Sequence, residues 1–164
     1  MFADYTFDPI RYALLNQEHT GSCSAEDLPA LKGYLHSQQG VIDYKVKGYT
    51  NVNNAPVLEV EVKGQLELIC QRCLGGLLTD LSSATRLVLV KDEKLLPEVE
   101  DEIESEDVIV APQSLSLLHL VEEELLLALP LTTLHDSEQC HASESELEGE
   151  GKTNPFQVLT QLKR

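Results

Sequence analysis

The residues best suited to chemistry are two cysteines three positions apart, in Cys70-Gln71-Arg72-Cys73-Leu74-Gly75-Gly76. At the end of a strand and before two glycines, such a pair forms a knuckle that aims both sulfurs at one metal ion. A structural zinc site needs four ligands, and the donors further along the chain are His135, Cys140 and His141. Cys70, Cys73, His135 and Cys140 make a Cys3His set suited to zinc in a reducing compartment. Two other readings stay open. C-x-x-C also serves redox chemistry, but there the first cysteine gains acidity at a helix N-terminus, and here glycines and a strand-like run follow. The third reading is a reduced hairpin end that is structural or touches a partner. Cys23 stands alone and reads as inert.

Other enzyme signatures are absent: no G-x-G-x-x-G, P-loop, H-E-x-x-H or G-x-S-x-G. His119 reads as a surface or boundary residue of a helix, and His19 and His36 have no partner visible in the sequence. For RNA contact, Lys45, Lys47 and Tyr49 share one face of a strand, and Arg72 sits in the knuckle. The same cations are what a solvated β-face ordinarily carries.

Charge and composition narrow the classes. The chain has 164 residues, 42% of them hydrophobic, and a net charge of −16. That is enough apolar material for one core. Residues 92–107 carry nine carboxylates and one lysine, and residues 136–151 six carboxylates and no lysine or arginine. Fourteen of the sixteen excess negative charges therefore sit on two strips. Poor in large apolar residues, both strips read as mobile. Acidic strips repel phosphate, so RNA contact by this chain alone should be weak; they serve solubility or, on a sharper reading, attract a basic protein. The longest apolar run, Leu125 to Leu129, is far too short to span a bilayer, and the N-terminus does not resemble a signal peptide. The expected location is the cytoplasm.

The elements that must position the cysteines follow from periodicity. Residues 7–35 read as irregular structure ending in a short helix near Leu28, Leu31 and Leu35. From Val41 to Tyr49 lysines alternate with apolar residues, and Leu58, Val60 and Val62 continue this period of two to Leu66, Leu68 and Cys70. Gly64 reads as a kink within one long strand. In the run after Gly76, Leu77, Thr79 and Leu81 fall in one phase but Ala84, Val88 and Val90 in the other, which calls for a bulge near Ser82-Ser83. Residues 114–129 read as a leucine-rich helix, capped by Ser114, with Leu117, Leu118, Val121, Leu125 and Ala128 on its inner face and Pro130 as its stop. The fold class is α+β, an antiparallel β-meander covered by that helix. Residues 1–135 form the domain, with the acidic loop at 92–107. Residues 136–164 form an acidic tether with a short amphipathic helix, capped by Asn154-Pro155, whose Phe156, Leu159 and Leu162 would dock on the chain's own body or on a partner.

With these motifs in order, the chain resembles the large ribosomal RNA subunit accumulation protein family, YceD. The resemblance rests on Val60 to Leu74 with its Cys-Gln-Arg-Cys-Leu, and on the leucine-rich helix ending Ala128-Leu129-Pro130-Leu131. His135, Cys140 and Asn154-Pro155-Phe156-Gln157-Val158-Leu159 extend it. It implies a factor in synthesis, processing or stability of 23S ribosomal RNA. The charge points to protein partners on the ribosomal precursor or the RNA-processing machinery, without catalysis. The alternative is a C-x-x-C-dependent redox enzyme or a metal-dependent enzyme.

Overall fold

The computed structural model describes residues 5–96, 107–136 and 140. Strand β1 (Thr6–Phe7) leads into helix α1 (Pro9–Leu14), then β2 (Glu18–Ser24), β3 (Val41–Thr50), β4 (Pro56–Ile69), β5 (Gly76–Val90), β6 (Asp107–Val110), β7 (Leu115–Ser116) and helix α2 (Leu117–Ala128). The main sheet has the order β2-β3-β4-β5-β6. Its first four strands are an antiparallel meander; alternation predicts β3, β4 and β5 of it, but not the edge strand β2. The fifth is an addition to that expectation, since β6 runs parallel to β5.

One face of the sheet is apolar because every second residue is. Ile42, Val46, Val60, Val62 and Leu66 are fully buried there, with Leu81 and Leu89 from β5. Across the meander Val46 lies opposite Val60, and Val62 opposite Ser83. β4 runs unbroken through Gly64, in line with one long strand. A Cβ at Gly64 would come within 2.9 Å of the Val41 carbonyl oxygen, so the strands approach too closely there for a side chain.

The sequence reading needs correction in three places. β5 has no bulge at Ser82-Ser83: Lys63 pairs with Ser82 and Val62 with Ser83 in unbroken register. The inner face keeps one phase, and Ser83 and Thr85 point inward because a buried carboxylate is waiting for them. Glu124 Oε2 accepts hydrogen bonds from Ser83 Oγ at 2.9 Å and Thr85 Oγ1 at 3.0 Å. Second, α2 begins at Leu117 with Ser116 as its cap, since Leu115–Ser116 pairs with β1 instead. Its covered face includes Leu117, Leu120, Val121 and Leu125 together with Glu122 and Glu124, while Leu118 and Ala128 are only partly covered. Glu122 Oε1 accepts from the Ala30 backbone N–H at 2.6 Å. Third, residues 7–35 are more ordered than expected. Asp8 caps α1, β2 joins the sheet edge, and the short helix is two 3-10 turns, Ala25–Asp27 and Pro29–Gly33.

Of the first acidic strip, Glu93–Leu95 form an exposed 3-10 turn and Asp107 opens β6. The mobility assigned to residues 97–106 and to the second strip's 137–139 and 141–151 lies outside the described residues. So do the tether and the docking helix with Phe156, Leu159 and Leu162. Among the described residues no helix is long and apolar enough to cross a membrane.

α1 rests directly on bare strand. A Cβ at Gly48 would meet Ala13 Cα and Tyr12 Cδ1 at 2.7 Å, and the Tyr12 hydroxyl donates to the Val46 carbonyl at 3.0 Å. Gly48→Ala should therefore push α1 off the sheet and cost about 2 kcal/mol, in the range of overpacking changes. Gly33→Ala, with nothing within 4 Å of the new methyl, should leave the urea midpoint unchanged. Equal effects from the two would refute the close-approach argument.

Burial pushes the Cys23 thiol up to about 11, helped by Asp27 and Asp43, and the Tyr12 hydroxyl up to about 12. Both groups stay protonated in the fold but ionise near their ordinary values of 9 and 10 in the unfolded chain. The folded state then holds more protons, so stability should fall as pH rises above 9. Tyr12→Phe and Cys23→Ala should each flatten that fall in urea titrations between pH 8 and about 11. Cys23 should also resist alkylation in the native protein.

Candidate metal centre

The longest hairpin of the sheet carries the site at its tip. β4 and β5 pair from Val57–Val88 to Ile69–Gly76, and the turn between them is the cysteine knuckle. Two bonds close it: the Cys70 N–H donates to the Gly75 carbonyl, and the Leu74 N–H to the Cys70 carbonyl, both at 2.8 Å. Leu74 takes a left-handed conformation, φ 59°, which is costly for a branched, bulky residue. Tightness of the turn requires it, and of the two glycines that follow, Gly76 is the one where a side chain would crowd its neighbours. A Cβ at Gly76 would collide with the Glu67 carboxylate and approach His36 Nδ1 at 2.8 Å.

The second half of the site arrives from α2. Pro130 ends the helical stretch, and the chain turns back to the knuckle, where the Gln71 N–H donates to the Thr133 carbonyl at 2.8 Å. This return places His135 and Cys140 beside the first two cysteines. The ligand atoms of Cys70, Cys73, His135 and Cys140 all lie within 4.8 Å of one another. His141, the remaining sequence candidate, is outside the described residues.

Two of the four donors, Cys70 and His135, are prepared by their surroundings. Cys70 is fully buried. The backbone N–H of Cys73 donates to its sulfur, as do those of His135 and Arg72, and this holds the thiol down to about 5 against the opposing effect of burial. Such N–H to sulfur bonds favour a thiolate. The His135 ring makes a 3.0 Å hydrogen bond from Nε2 to the Gly76 carbonyl, leaving Nδ1 3.3 Å from Cys73 Sγ. The Gly76 carbonyl, then the two cysteines, raise the imidazole's affinity for a proton. A ring held by one nitrogen and turned inward with the other is the arrangement metal-binding histidines use. No disulfide joins the cysteines among the described residues.

Three soft thiolates and an imidazole can hold a mid-row divalent metal tetrahedrally, which fills its coordination. The helix N-terminus that the redox reading calls for is absent: Cys70 is buried in a hairpin turn, and its acidity comes from backbone N–H groups instead.

The proposed RNA face is placed differently. Lys45 and Lys47 lie on the outer face of β3, and Lys45 pairs with Glu18 at 3.3 Å. The Lys47 ammonium sits 5.7 Å from the centre of the Tyr49 ring. Arg86 is held by Glu59 at 2.9 Å. Arg72 is exposed at the hairpin tip, roughly 30 Å along the sheet at about 3.3 Å per strand residue, so it does not join this patch. Sequence reasoning missed the three N–H donors, the Gly76 carbonyl and two histidine partners. His36 faces Glu67 at 3.4 Å, and His19 stacks between Tyr5 and Tyr44. It also missed the buried Glu122 and Glu124; for Glu124 the signal was Ser83 and Thr85, two successive polar residues on the inward phase of β5.

Comparison with known proteins fits this geometry. Residues 58–163, from β4 through the knuckle and past Cys140, match the family described as large ribosomal RNA subunit accumulation protein YceD. The large ribosomal RNA subunit accumulation protein YceD of Haemophilus influenzae is 29% identical, over 97% of this chain and 95% of its own length. No solved structure matches. Spanning the hairpin, its cysteines and the covering helix, the match establishes that the chain belongs to the YceD family.

Proposed function

We propose that the protein is a non-catalytic factor in the synthesis, processing or stability of 23S ribosomal RNA, acting in the cytoplasm through protein partners. Those partners belong to the ribosomal precursor or the RNA-processing machinery. Family membership carries the first part, since the relative's name places it in large-subunit rRNA accumulation. Pairing of the body's cations supports the second. Lys45 and Arg86 face carboxylates, and Lys45 and Lys47 lie opposite Glu61 and Glu59 in the ladder, so the outer face offers phosphate little unpaired charge. A metal held by all four of these donors would have no open coordination position for a substrate, which favours a non-catalytic role.

The test is complementation of a bacterium lacking its own family member, with capture of the tagged protein before and after nuclease treatment. The 23S to 16S ratio should recover with wild-type protein. It should also recover, within about 2-fold, with Lys45, Lys47 and Tyr49 all changed to alanine, because paired cations contribute little to phosphate binding. Captured precursor or processing proteins should survive nuclease. Loss of capture on nuclease treatment, together with failure of the triple variant, would overturn the protein-partner reading in favour of direct RNA binding.

A further inference from the structure

We propose that Cys70, Cys73, His135 and Cys140 bind one Zn2+ in a closed tetrahedral site, a clasp that ties the chain after α2 to the tip of the β4–β5 hairpin. This stands apart from the rRNA reading and would hold whatever the partner.

The geometry favours a single ion. With Zn–S lengths of about 2.3 Å, tetrahedral ligand atoms lie about 3.8 Å apart. The four atoms here fall within 4.8 Å of one another. A multi-iron cluster, with metals and sulfides between its ligands, would spread them further. Three cysteines and one histidine select zinc over magnesium, calcium or manganese, which prefer oxygen. Supporting groups are in place as well: backbone N–H donors on Cys70 from both halves of the site, and the Gly76 carbonyl on His135 Nε2. The Gln71 N–H bond to the Thr133 carbonyl, at 2.8 Å, ties the returning chain to the knuckle independently of the imidazole.

The clasp has a mechanical consequence. A cleft of about 360 Å3 lies next to the centre. Leu68 and Leu74 on the hairpin side face Leu129, Leu131 and Thr133 on the returning chain. Among backbone bonds the two walls share Gln71 N–H to Thr133 carbonyl, and a metal would lock them at the other end.

Full-length protein purified under reducing conditions should contain about one zinc per chain by elemental analysis. Exchange with Co2+ should give the intense visible bands of a tetrahedral ion and a thiolate charge-transfer band. Cys140→Ser should weaken Zn2+ binding by more than about 100-fold, because losing even a supporting group costs about 10- to 100-fold. Cys23→Ala should leave the stoichiometry unchanged. Chelation should speed hydrogen exchange at Gln71 while the amides pairing β3 with β4 stay protected. Metal-free protein after zinc-replete growth, iron or copper in place of zinc, or full Zn2+ affinity in Cys140→Ser would each overturn the proposal. Unchanged Gln71 exchange on chelation would overturn the clasp.

Discussion

The β4–β5 ladder is the constraint on which the rest of the structure depends. It pairs residues without interruption from Val57–Val88 to Ile69–Gly76, so one register decides both ends of the molecule. At the tip, that register leaves only the residues from Cys70 to Gly75 for the turn. Both thiols therefore emerge close together. Along its length, the same register brings Val60 opposite Thr85 and Val62 opposite Ser83, and so sets where α2 must lie. A one-residue slip would turn Ser83 and Thr85 to solvent, strand Glu124 in the core and displace the knuckle.

Glu124 shows how the helix is placed rather than merely attracted. Leucines alone would hold α2 against the sheet in several nearby positions, because apolar contact is non-directional. A carboxylate buried to 3% exposure tolerates few of these, since moving it off Ser83 and Thr85 leaves a desolvated acid without donors. Glu122 adds a second constraint on the same helix, to the Ala30 N–H. Between them the helix is fixed against β5 and against the 3-10 turn of Pro29–Gly33. The chain leaving its C-terminal end is then delivered to the hairpin tip, where Thr133 meets Gln71.

This dependence explains which parts were legible in the sequence. β3 and β4 alternate cleanly because their outer residues are charged and their inner ones are Val, Leu and Ile. β5 misleads at Ser83 and Thr85, where polar side chains serve a buried acid that lies 39 or more residues away in sequence. β2 was invisible for a different reason. Its inner positions are His19, Gly21 and Cys23, and Gly21 is there because the Tyr44 ring occupies the space a side chain would need. α1 is six residues long and carries a readable Asp8-Pro9 start, but too few turns to show a period. In β5 and β2 a tertiary neighbour, unknowable from local pattern, decides the residue type.

The four candidate ligands were legible by type, yet their convergence was not. Sixty-two residues separate Cys73 from His135, and the interval holds a long strand, an acidic stretch, a parallel edge strand and a helix. Nothing in C-x-x-C dictates that the chain should return to it. The return depends on α2 being about 18 Å long at 1.5 Å per residue, on Glu124 fixing its position along β5, and on Pro130 ending it within reach of the tip. Chemistry at the knuckle is therefore built from the core outward. The acid that orders the helix and the sulfurs that face the histidine are successive consequences of one strand register.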